Sequence, residues 1–336
     1  MRHIIAFSGG KDSQATVIWA LNNLDSEFEI IFCDTDWESP DTYQFLLEFE
    51  EQLQQPIHHL KSKKYSGIVD LAAKKGQFPT IHTRFCTEEL KIKPMIDYLI
   101  DEVKDDVTIY QGIRHEESRN RAGMNRRDHY FKGYLEPYKV EDLALKLKRL
   151  EEQYATKAQT MTPKKQWRTV QKMEEIKQKL NRGVAEKKSY YTYRRKDVLD
   201  FCDKYDATVI RPIITWTTEQ VFAYIKENGF EHNPLYNKGA KRVGCYPCVL
   251  CSQPEIVDIA KHDPERIAFI RQKEEELDLT FFPPGHIPEK YCSKQIDTTT
   301  GVKFAPTIDD VIEYASARKG GDLPNLSCKI RYSPCE

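Results

Sequence analysis

Short apolar strands alternate with amphipathic helices along this chain, and this alternation constrains the fold more than any other feature. Predicted strands cover residues 3–7, 29–33, 56–60, 106–112 and 208–213. Predicted helices begin after Gly10 and cover residues 40–53, 68–75, 91–103 and 218–228. Parallel strands joined by helices are buried on both faces. The pattern therefore predicts an α/β fold, an open and mostly parallel sheet with helices on both faces.

Composition fits a globular chain of about two domains. Of the 336 residues, 40% are hydrophobic and 31% are charged, so a core can form and general disorder is excluded. No apolar run approaches the roughly 18 residues that a membrane span needs. The apolar run at residues 4–7 is too short for the core of a signal peptide. We therefore expect a cytoplasmic protein without a membrane partner.

Charge is segregated along the chain. The whole sequence holds 51 basic and 52 acidic side chains, whereas residues 139–196 hold 17 Lys and Arg against 7 Asp and Glu. Two helices are predicted there, at residues 143–154 and 166–180. We predict an α/β core at 1–125, a basic helical insertion at 126–205 and completion of the core at 206–240. The cysteine-rich region 241–336 is interpreted as smaller and organised by a metal.

A glycine-containing loop, Ser8-Gly9-Gly10-Lys11-Asp12-Ser13, lies between the first strand and the first helix. Its glycines let the backbone approach an anion, and free N–H groups at a helix start favour negative charge. Lys11 adds a positive charge, and the two serines add hydroxyl donors. Asp12 is acidic where phosphate would bind, so it is a candidate Mg²⁺ ligand. The alternative is a tight turn with a solvated lysine.

These six residues resemble the PP-loop of the ATP pyrophosphatases. Four further segments resemble motifs of the phosphoadenosine phosphosulfate (PAPS) reductase-like branch, which has the adenine nucleotide alpha-hydrolase-like fold: residues 32–36, residues 84–86 with Lys91 and Pro94, residues 112–121, and residues 211–245. The intact loop is similar to that of sulfate adenylyltransferase small subunits and of the DNA phosphorothioation ATPase.

The resemblance implies that ATP is cleaved between its α and β phosphates to adenylate a substrate. It assigns nucleotide binding to the loop and to four residues that follow predicted strands: Asp34, Thr35, Gly112 and Arg114. It assigns catalysis to Lys11, Asp12 and Arg114. A position after a parallel strand favours these assignments, because ligands of open α/β sheets bind there. The alternatives are a turn at residues 34–35 and a solvated charge cluster at 114–121.

Three cysteines form a double C-x-x-C at Cys245, Cys248 and Cys251, a spacing typical of metal or cluster ligands. The resemblance implies a 4Fe–4S cluster, with Zn²⁺ as the alternative. Cluster-bearing relatives carry an adjacent Cys-Cys pair upstream, where this chain has Phe85-Cys86. We expect Cys86 as the fourth ligand and Cys292 as the alternative ligand.

A C-terminal cysteine supports a second hypothesis. Thiol-dependent PAPS reductases carry a nucleophilic cysteine near a flexible C-terminus, and Cys335 is the penultimate residue here, with Cys328 nearby. The chain would then reduce PAPS or adenylyl sulfate with Cys335 and a thiol reductant. A docked tail and a second metal site are the other interpretations of these two cysteines.

The end of the basic insertion interleaves aromatic and cationic side chains, which suits nucleic acid because bases stack on aromatic faces and cations bind phosphates. The candidate residues for binding DNA or RNA are Lys188, Tyr190, Tyr191, Tyr193, Arg194, Arg195 and Lys196. A solvated helical hairpin or a protein-docking surface is the alternative. The first hypothesis is an adenylating enzyme that supports sulfur transfer, with nucleic acid as its substrate class and a sulfur-donor protein as a partner. The third is a non-catalytic, nucleotide-dependent binding module.

Overall fold

The computed structural model describes residues 1–81, 83–298 and 301–317. Within these ranges the strands are β1 (Arg2–Phe7), β2 (Phe28–Cys33), β3 (Ile57–Leu60), β4 (Val107–Gln111), β5 (Arg127–His129), β6 (Lys139–Asp142), β7 (Glu186–Ser189), β8 (Ala207–Ile210), β9 (Lys294–Thr298) and β10 (Gly301–Ala305).

Six of these strands form one sheet, in the order β3–β2–β1–β4–β8–β5. All neighbouring pairs are parallel except β5 with β8, which is antiparallel. In the centre, Ile5 of β1 lies opposite Ile30 of β2 and Tyr110 of β4. The predicted α/β fold with an open, mostly parallel sheet is confirmed. The short edge strand β5 was not predicted, because its three polar residues carry no apolar alternation.

The helices in the described residues are α1 (Lys11–Asn23), α2 (Pro40–Leu53), α3 (Ile68–Lys75), α4 (Phe85–Thr87), α5 (Lys93–Tyr98), α6 (Arg119–Ala122), α7 (Lys132–Leu135), α8 (Leu143–Lys157), α9 (Pro163–Asn181), α10 (Arg195–Cys202), α11 (Thr218–Glu227), α12 (Gln253–His262), α13 (Pro264–Leu277) and α14 (Ile308–Ala317). Two π-helical segments, Glu88–Ile92 and Leu99–Val103, flank α5. The predicted helix 91–103 therefore begins earlier, at Phe85. Pro94 cannot donate a backbone hydrogen bond, and the turn before it is π-helical. No described helix combines the length and apolar character needed to cross a membrane.

The central sheet is covered on both faces. On one face Ile5 and Phe32 pack with Phe45 and Phe49 of α2. On the other face Ile31 lies beside Met95 of α5. Alternate residues along β1 and β2 thus bury opposite faces, as period-two side chains of a covered parallel sheet do. This burial fixes the carboxyl ends of the strands, where the candidate site lies.

The chain forms two compact units. The first comprises Met1–Tyr130 and the described residues from Tyr205 on, and the second comprises Phe131–Lys204. In the second unit α8 and α9 pack side by side, with Met173 and Ile176 of α9 buried. Strands β6 and β7 form an antiparallel ladder. The second unit lies within the predicted insertion 126–205.

An apolar core organises the described part of the C-terminal region, which the sequence attributed to a metal. Ile256 of α12, Ile270 of α13 and Ile308 of α14 are buried together with Trp37 and Leu71. The sequence does not show this core, because its residues come from segments that are far apart along the chain. Four cysteines, Cys86, Cys245, Cys251 and Cys292, pack against its edge.

Candidate functional site

The candidate site lies where the order of the strands reverses. From β1 the chain proceeds to β2 and β3 on one side and returns to β4 on the other side of β1. The carboxyl edge of the sheet at such a reversal is the usual ligand position in open α/β sheets. The loop 8–13 follows β1, and Gly112 with Arg114 follows β4.

The loop 8–13 is held by its own hydroxyl groups. Ser13 Oγ lies 3.1 Å from Ser8 Oγ, accepts from the Ser8 amide and donates to the Gly10 carbonyl at 2.9 Å. Gly9 has a φ of +79°, and a Cβ there would lie 2.9 Å from the Thr42 methyl group. The loop thus requires glycine at this position for two reasons, backbone conformation and contact.

Three charged side chains predicted as catalytic meet behind this loop. Lys11 Nζ lies 2.6 Å from one oxygen of Asp12, and Arg114 Nε lies 2.5 Å from the other. All three residues are buried, and Asp12 is 1% exposed. Burial alone opposes the charged form of Arg114, but the nearby Asp12 carboxylate raises the pKa of its guanidinium. Two of these three side chains are basic and one is acidic, and Glu116 forms a further ion pair with Arg114.

Arg114 acts through its neighbours rather than as a free cation. Its terminal nitrogens donate to Glu116 at 2.6 Å and to the Thr218 hydroxyl at 3.2 Å, and it is 3% exposed. Asp12 uses both carboxylate oxygens for Lys11 and Arg114. The sequence predicts a Mg²⁺ ion at Asp12, where a further lone pair remains on each carboxylate oxygen. Lys11 keeps two donors beyond its bond to Asp12.

Asp34 ends β2 at the same edge. Its Oδ1 accepts from the Tyr43 hydroxyl at 2.7 Å and from the Asp36 amide at 2.9 Å, and Lys61 lies 3.1 Å from Oδ2. Burial alone favours the protonated acid, but hydrogen bonds from His59, Asp36, Tyr43 and Lys61 together lower the pKa of Asp34. The carboxylate is therefore ionised and can accept hydrogen bonds from a ligand hydroxyl.

Thr35 follows β2 and contacts both the buried Glu38 and Cys245. Cys245 belongs to residues 245–251, the cysteine loop. The Thr35 hydroxyl donates to Glu38 at 2.7 Å and lies 3.5 Å from Cys245 Sγ. The Glu38 carboxylate also accepts from the Trp37 amide at 3.1 Å. The backbones of Glu38 and Cys245 form an isolated antiparallel β-bridge. The Glu38 carboxylate thus orients the threonine and the first thiol together.

Four predicted ligand thiols line one cavity with the ends of β1 and β2. This cavity of about 110 Å³ is bounded by Ser8, Thr35, Cys86, Cys245, Cys248 and Cys251, among others. Cys292 is not among its lining residues, and its Sγ lies 3.8 Å from the Pro288 carbonyl oxygen. Cys328 and Cys335 lie outside the described residues. The cavity therefore lies between the predicted ligand thiols and Ser8, the first residue of the loop 8–13.

The donor set of the cavity suits a four-thiolate centre, iron–sulfur or zinc. Within the described ranges, however, no three His, Cys, Asp or Glu side chains converge as ligands of one ion. Burial raises the pKa of Cys245, with Lys91 opposing and Glu38 reinforcing the shift. Burial also raises the pKa of Cys251. As arranged here, these two are neutral thiols that would lose protons on binding a metal.

Protein contacts hold the cysteine loop in place. Trp37 Nε1 donates to the Pro247 carbonyl at 3.0 Å, and the Tyr246 amide donates to the Trp37 carbonyl at 2.9 Å. Arg266 stacks 4.4 Å from the Trp37 ring centre and donates to the Tyr246 carbonyl at 2.6 Å. The loop is thereby attached to the segment that follows β2.

Two functional positions were not singled out by the sequence. Asn233, fully buried, donates to the Gly9 carbonyl at 3.2 Å, and the Tyr236 hydroxyl accepts from the Lys11 amide at 3.0 Å. Both residues belong to the motif quoted for 211–245, so the resemblance contained the signal. Spacing alone does not contain it, because more than 200 residues separate them from the loop.

The residues predicted to bind nucleic acid contact one another within the second unit. The guanidinium of Arg195 lies 4.7 Å from the Tyr190 ring centre and donates to the Tyr134 carbonyl at 2.6 Å. The Tyr191 ring lies against Gly133, where a Cβ would approach it to 2.3 Å, and Arg194 pairs with Asp197 at 2.8 Å. Tyr193 is half-buried, and Lys188 and Lys196 are exposed.

The profile of the phosphoadenosine phosphosulfate reductase domain matches residues 2–251. The chain belongs to this family. The predicted membership of the PAPS reductase-like family is confirmed, and the match ends at Cys251, the last thiol of the cavity. The basic second unit lies inside the matched span.

Similar proteins differ in how much of the chain they match. An uncharacterised 37.8 kDa protein of Escherichia phage 186 is 25% identical over 378 residues, covering 96% of this chain and 91% of that protein. An uncharacterised protein of Methanocaldococcus jannaschii is 23% identical over 78% of this chain, which spans 39% of that protein's length. The phosphoadenosine 5'-phosphosulfate reductase of Gloeobacter violaceus is 31% identical over 84 residues, 22% of this chain and 34% of that enzyme. Among solved structures, PAPS reductase from Candida auris in a phosphate complex is 15% identical, with a TM-score of 0.40 over 74% of this chain and 81% of that chain.

Proposed function

We propose that this chain binds ATP with its phosphates on residues 8–13 and cleaves it at the α-phosphate to adenylate a substrate. The observation that carries the proposal is the buried array of Lys11, Asp12 and Arg114 behind an intact Ser-Gly-Gly-Lys-Asp-Ser loop. Within this array, Lys11 would supply a fixed cation at the topological switch point. Asp34 and Thr35, at the next strand end, would contact the nucleoside.

In the proposed reaction, an oxygen of the acceptor attacks the α-phosphorus. The bond from that phosphorus to the α–β bridging oxygen breaks, and the electron pair leaves with pyrophosphate. Lys11 stabilises the negative charge that develops, because its ammonium is held in place by Asp12 before the reaction begins. Arg114 and Asp12 position Lys11. Mg²⁺ bound to the triphosphate would neutralise part of its charge.

The cavity beside the loop supports a second step, transfer of sulfur. A sulfur nucleophile, supplied by a donor protein or a thiol, would attack the activated atom of the acceptor and displace AMP. Cys86, Cys245, Cys248 and Cys251 are the residues that would hold an iron–sulfur cluster, or zinc, beside this step. An iron–sulfur cluster would supply electrons or a site for sulfur. We propose nucleic acid as the acceptor class, from the basic charge of residues 139–196.

A second candidate function is reduction of PAPS or adenylyl sulfate. Membership of the PAPS reductase domain family favours it, and several shorter matches are named as reductases of these two compounds. Cys335, outside the described residues, would attack the sulfur in that case, with a thiol as reductant. The product that distinguishes this reaction from adenylation is sulfite.

The decisive experiment is a parallel assay of the full chain, purified anaerobically. ATP with Mg²⁺ is offered in one arm, and PAPS or adenylyl sulfate with a thiol in the other, each with and without mixed nucleic acid. We expect pyrophosphate in the first arm and no sulfite in the second. Lys11→Met should abolish pyrophosphate release, while the matched Lys226→Met, on the exposed surface of α11, should not.

The other outcomes identify the alternatives. Sulfite without pyrophosphate establishes the reductase and overturns the adenylation proposal. No product in either arm, together with ATP binding, identifies a non-catalytic, nucleotide-dependent binding module. Pyrophosphate release that survives Lys11→Met shows that the chemistry does not depend on this loop.

A further inference from the structure

One face of α9 is exposed, basic and aromatic. Met173 and Ile176 turn inward, which leaves the opposite side of the helix in solvent. Lys164, Trp167 and Arg168 are exposed there, and Lys172 continues the stripe one turn further on. Positions three and four apart lie on one side of a helix. This side of α9 thus presents three cations and one indole ring, and the first ten residues of the helix contain no acidic side chain.

The cations of this stripe have no ionic role in the fold. Among the described residues, no carboxylate pairs with Lys164, Arg168 or Lys172, whereas Lys177 on the same helix pairs with Glu151 at 3.1 Å. Lys164 and Lys165 also lie in the first turn of α9, which holds no acidic residue. Positive charge at a helix N-terminus opposes the helix dipole and costs stability. A ligand of opposite charge would offset this cost.

The Trp167 side chain is 64% exposed, whereas Trp37 is 1% exposed. An indole in solvent leaves a large apolar face uncovered, and flanking cations make an apolar protein partner less suitable. A nucleic-acid base covers such a face by stacking, while its phosphates meet the cations. The combination of an exposed aromatic ring and unpaired positive charges fits a single strand.

The segment 188–196 is a weaker surface for the same ligand. Its two arginines are already engaged, Arg195 with the Tyr190 ring and the Tyr134 carbonyl, and Arg194 with Asp197. Tyr191 is stacked on Tyr138 with 4.9 Å between ring centres. Phosphate binding or base stacking there must first break these contacts.

We propose that the face of α9 formed by Lys164, Trp167, Arg168 and Lys172 binds single-stranded nucleic acid, with a base stacked on Trp167. This inference deepens the acceptor part of the proposed function and rests on that part alone. It does not require ATP cleavage, so binding is measured without nucleotide.

Binding of the full chain to labelled oligonucleotides of about 20 nucleotides tests the proposal. Single-stranded DNA, single-stranded RNA and duplex DNA are compared over a series of salt concentrations. Two variants remove the same charge from two surfaces. Lys164→Gln, Arg168→Gln and Lys172→Gln are combined in the first, and Lys187→Gln, Lys188→Gln and Lys196→Gln in the second. Circular dichroism confirms that both variants are folded.

The first variant should weaken single-strand binding and flatten its salt dependence. Each phosphate contact contributes a slope of about 0.7 in a plot of log affinity against log salt, so three lost contacts lower the slope by about 2. The second variant should bind as the natural chain does. Equal binding by the first variant and the natural chain overturns the proposal, and loss confined to the second variant restores the 188–196 surface.

Trp167 provides an independent readout. Trp167→Ala should weaken single-strand binding about tenfold, since stacking contributes on the order of 1–3 kcal/mol per base. Trp167→Phe should retain most of the binding but lose the quenching of tryptophan fluorescence that the natural chain shows. Unchanged affinity of Trp167→Ala overturns the stacking role. No binding to any strand at low salt overturns the whole inference, while ATP turnover measured separately still tests the proposed function.

Discussion

Gly112 lies directly against the backbone of Asp12: a Cβ at Gly112 would approach the Asp12 carbonyl carbon and oxygen to 2.5 Å and the Ser13 amide nitrogen to 2.6 Å. These are rigid backbone atoms, so no side-chain rotation relieves the contact. The start of α1 and the end of β4 are therefore in contact because residue 112 has no side chain. Gly112, predicted as a nucleotide-binding residue, therefore fixes the position of the loop 8–13.

Replacing Gly112 by alanine should displace the loop 8–13. We expect Gly112→Ala to lower the free energy of unfolding by about 1–3 kcal/mol, as overpacking does, and to weaken ATP binding strongly. Urea denaturation and calorimetric titration with ATP measure the two effects. Gly123→Ala is the matched control, because a Cβ there meets its nearest atom, the Asn120 carbonyl oxygen, at 3.8 Å. Equal behaviour of the two variants would contradict the contact.

Removal of the Arg114 guanidinium should destabilise the chain in the absence of any ligand. Arg114→Ala leaves Asp12 buried beside Lys11 alone, and breaking a buried ion pair costs about 3–5 kcal/mol. The measurement is the midpoint of urea unfolding without nucleotide. Arg119→Ala, the same change at an exposed position nearby, should shift that midpoint little. An unchanged midpoint for Arg114→Ala would show that the pair contributes no net stability.

Protein purified without oxygen should contain iron and be brown. We expect Cys86→Ser, Cys245→Ser and Cys248→Ser each to reduce the iron content, because these thiols line one cavity, and Cys292→Ser to leave it unchanged. Elemental analysis and visible absorption give the result. Colourless protein with stoichiometric zinc would show that the thiols bind zinc and not an iron–sulfur cluster. Iron loss in Cys292→Ser but not in Cys86→Ser would identify Cys292, and not Cys86, as the fourth ligand.

The buried Glu274 should make stability depend on pH. Its carboxylate accepts from the Phe281 amide at 2.7 Å and the Ile308 amide at 3.0 Å, yet burial raises the pKa of Glu274 to about 7. The folded state thus binds this proton more tightly than the unfolded state, whose pKa is near 4.3. The contribution to stability is complete below about pH 4 and is lost as the pH rises to 7.

Comparison with Glu274→Gln isolates this contribution. Between about pH 4.5 and 7 the natural chain should lose on the order of 3 kcal/mol relative to the variant, although the amide of the variant satisfies the two backbone donors less well. Thermal or urea unfolding across this range gives the difference. A difference that does not change with pH would show that Glu274 titrates normally in the folded chain.

The sequence predicts the local parts of this structure well. The helices 40–53 and 68–75 are observed with the predicted bounds, because their apolar periodicity and flanking residues are local signals. Contacts between residues far apart in the sequence could not be predicted. Glu38 and Cys245 are 207 residues apart, and nothing in either segment predicts their pairing. The same holds for the bond from Asn233 to Gly9.

Charge patterns proved harder to interpret than apolar ones. The arginines of residues 114–121 fit both a solvated charge cluster and a buried site. Only the fold shows that Arg114 and Arg121 are buried while Arg119 is exposed. Likewise, the richest aromatic–basic segment, 188–196, makes contacts within its own unit, and the exposed tryptophan lies on α9. Sequence composition does not distinguish these cases, because burial depends on distant packing.

The antiparallel pairing of β5 with β8 has a consequence for how such a chain can change over evolution. The Tyr130 amide donates to the Ala207 carbonyl at 2.7 Å, so the points where the chain leaves and rejoins the sheet are hydrogen-bonded neighbours. The entropy of closing a loop grows only slowly with its length. Residues 131–204 can therefore be exchanged for a short turn, or for a different module, with little effect on the sheet. This edge is a position at which one nucleotide-binding scaffold can acquire new substrates.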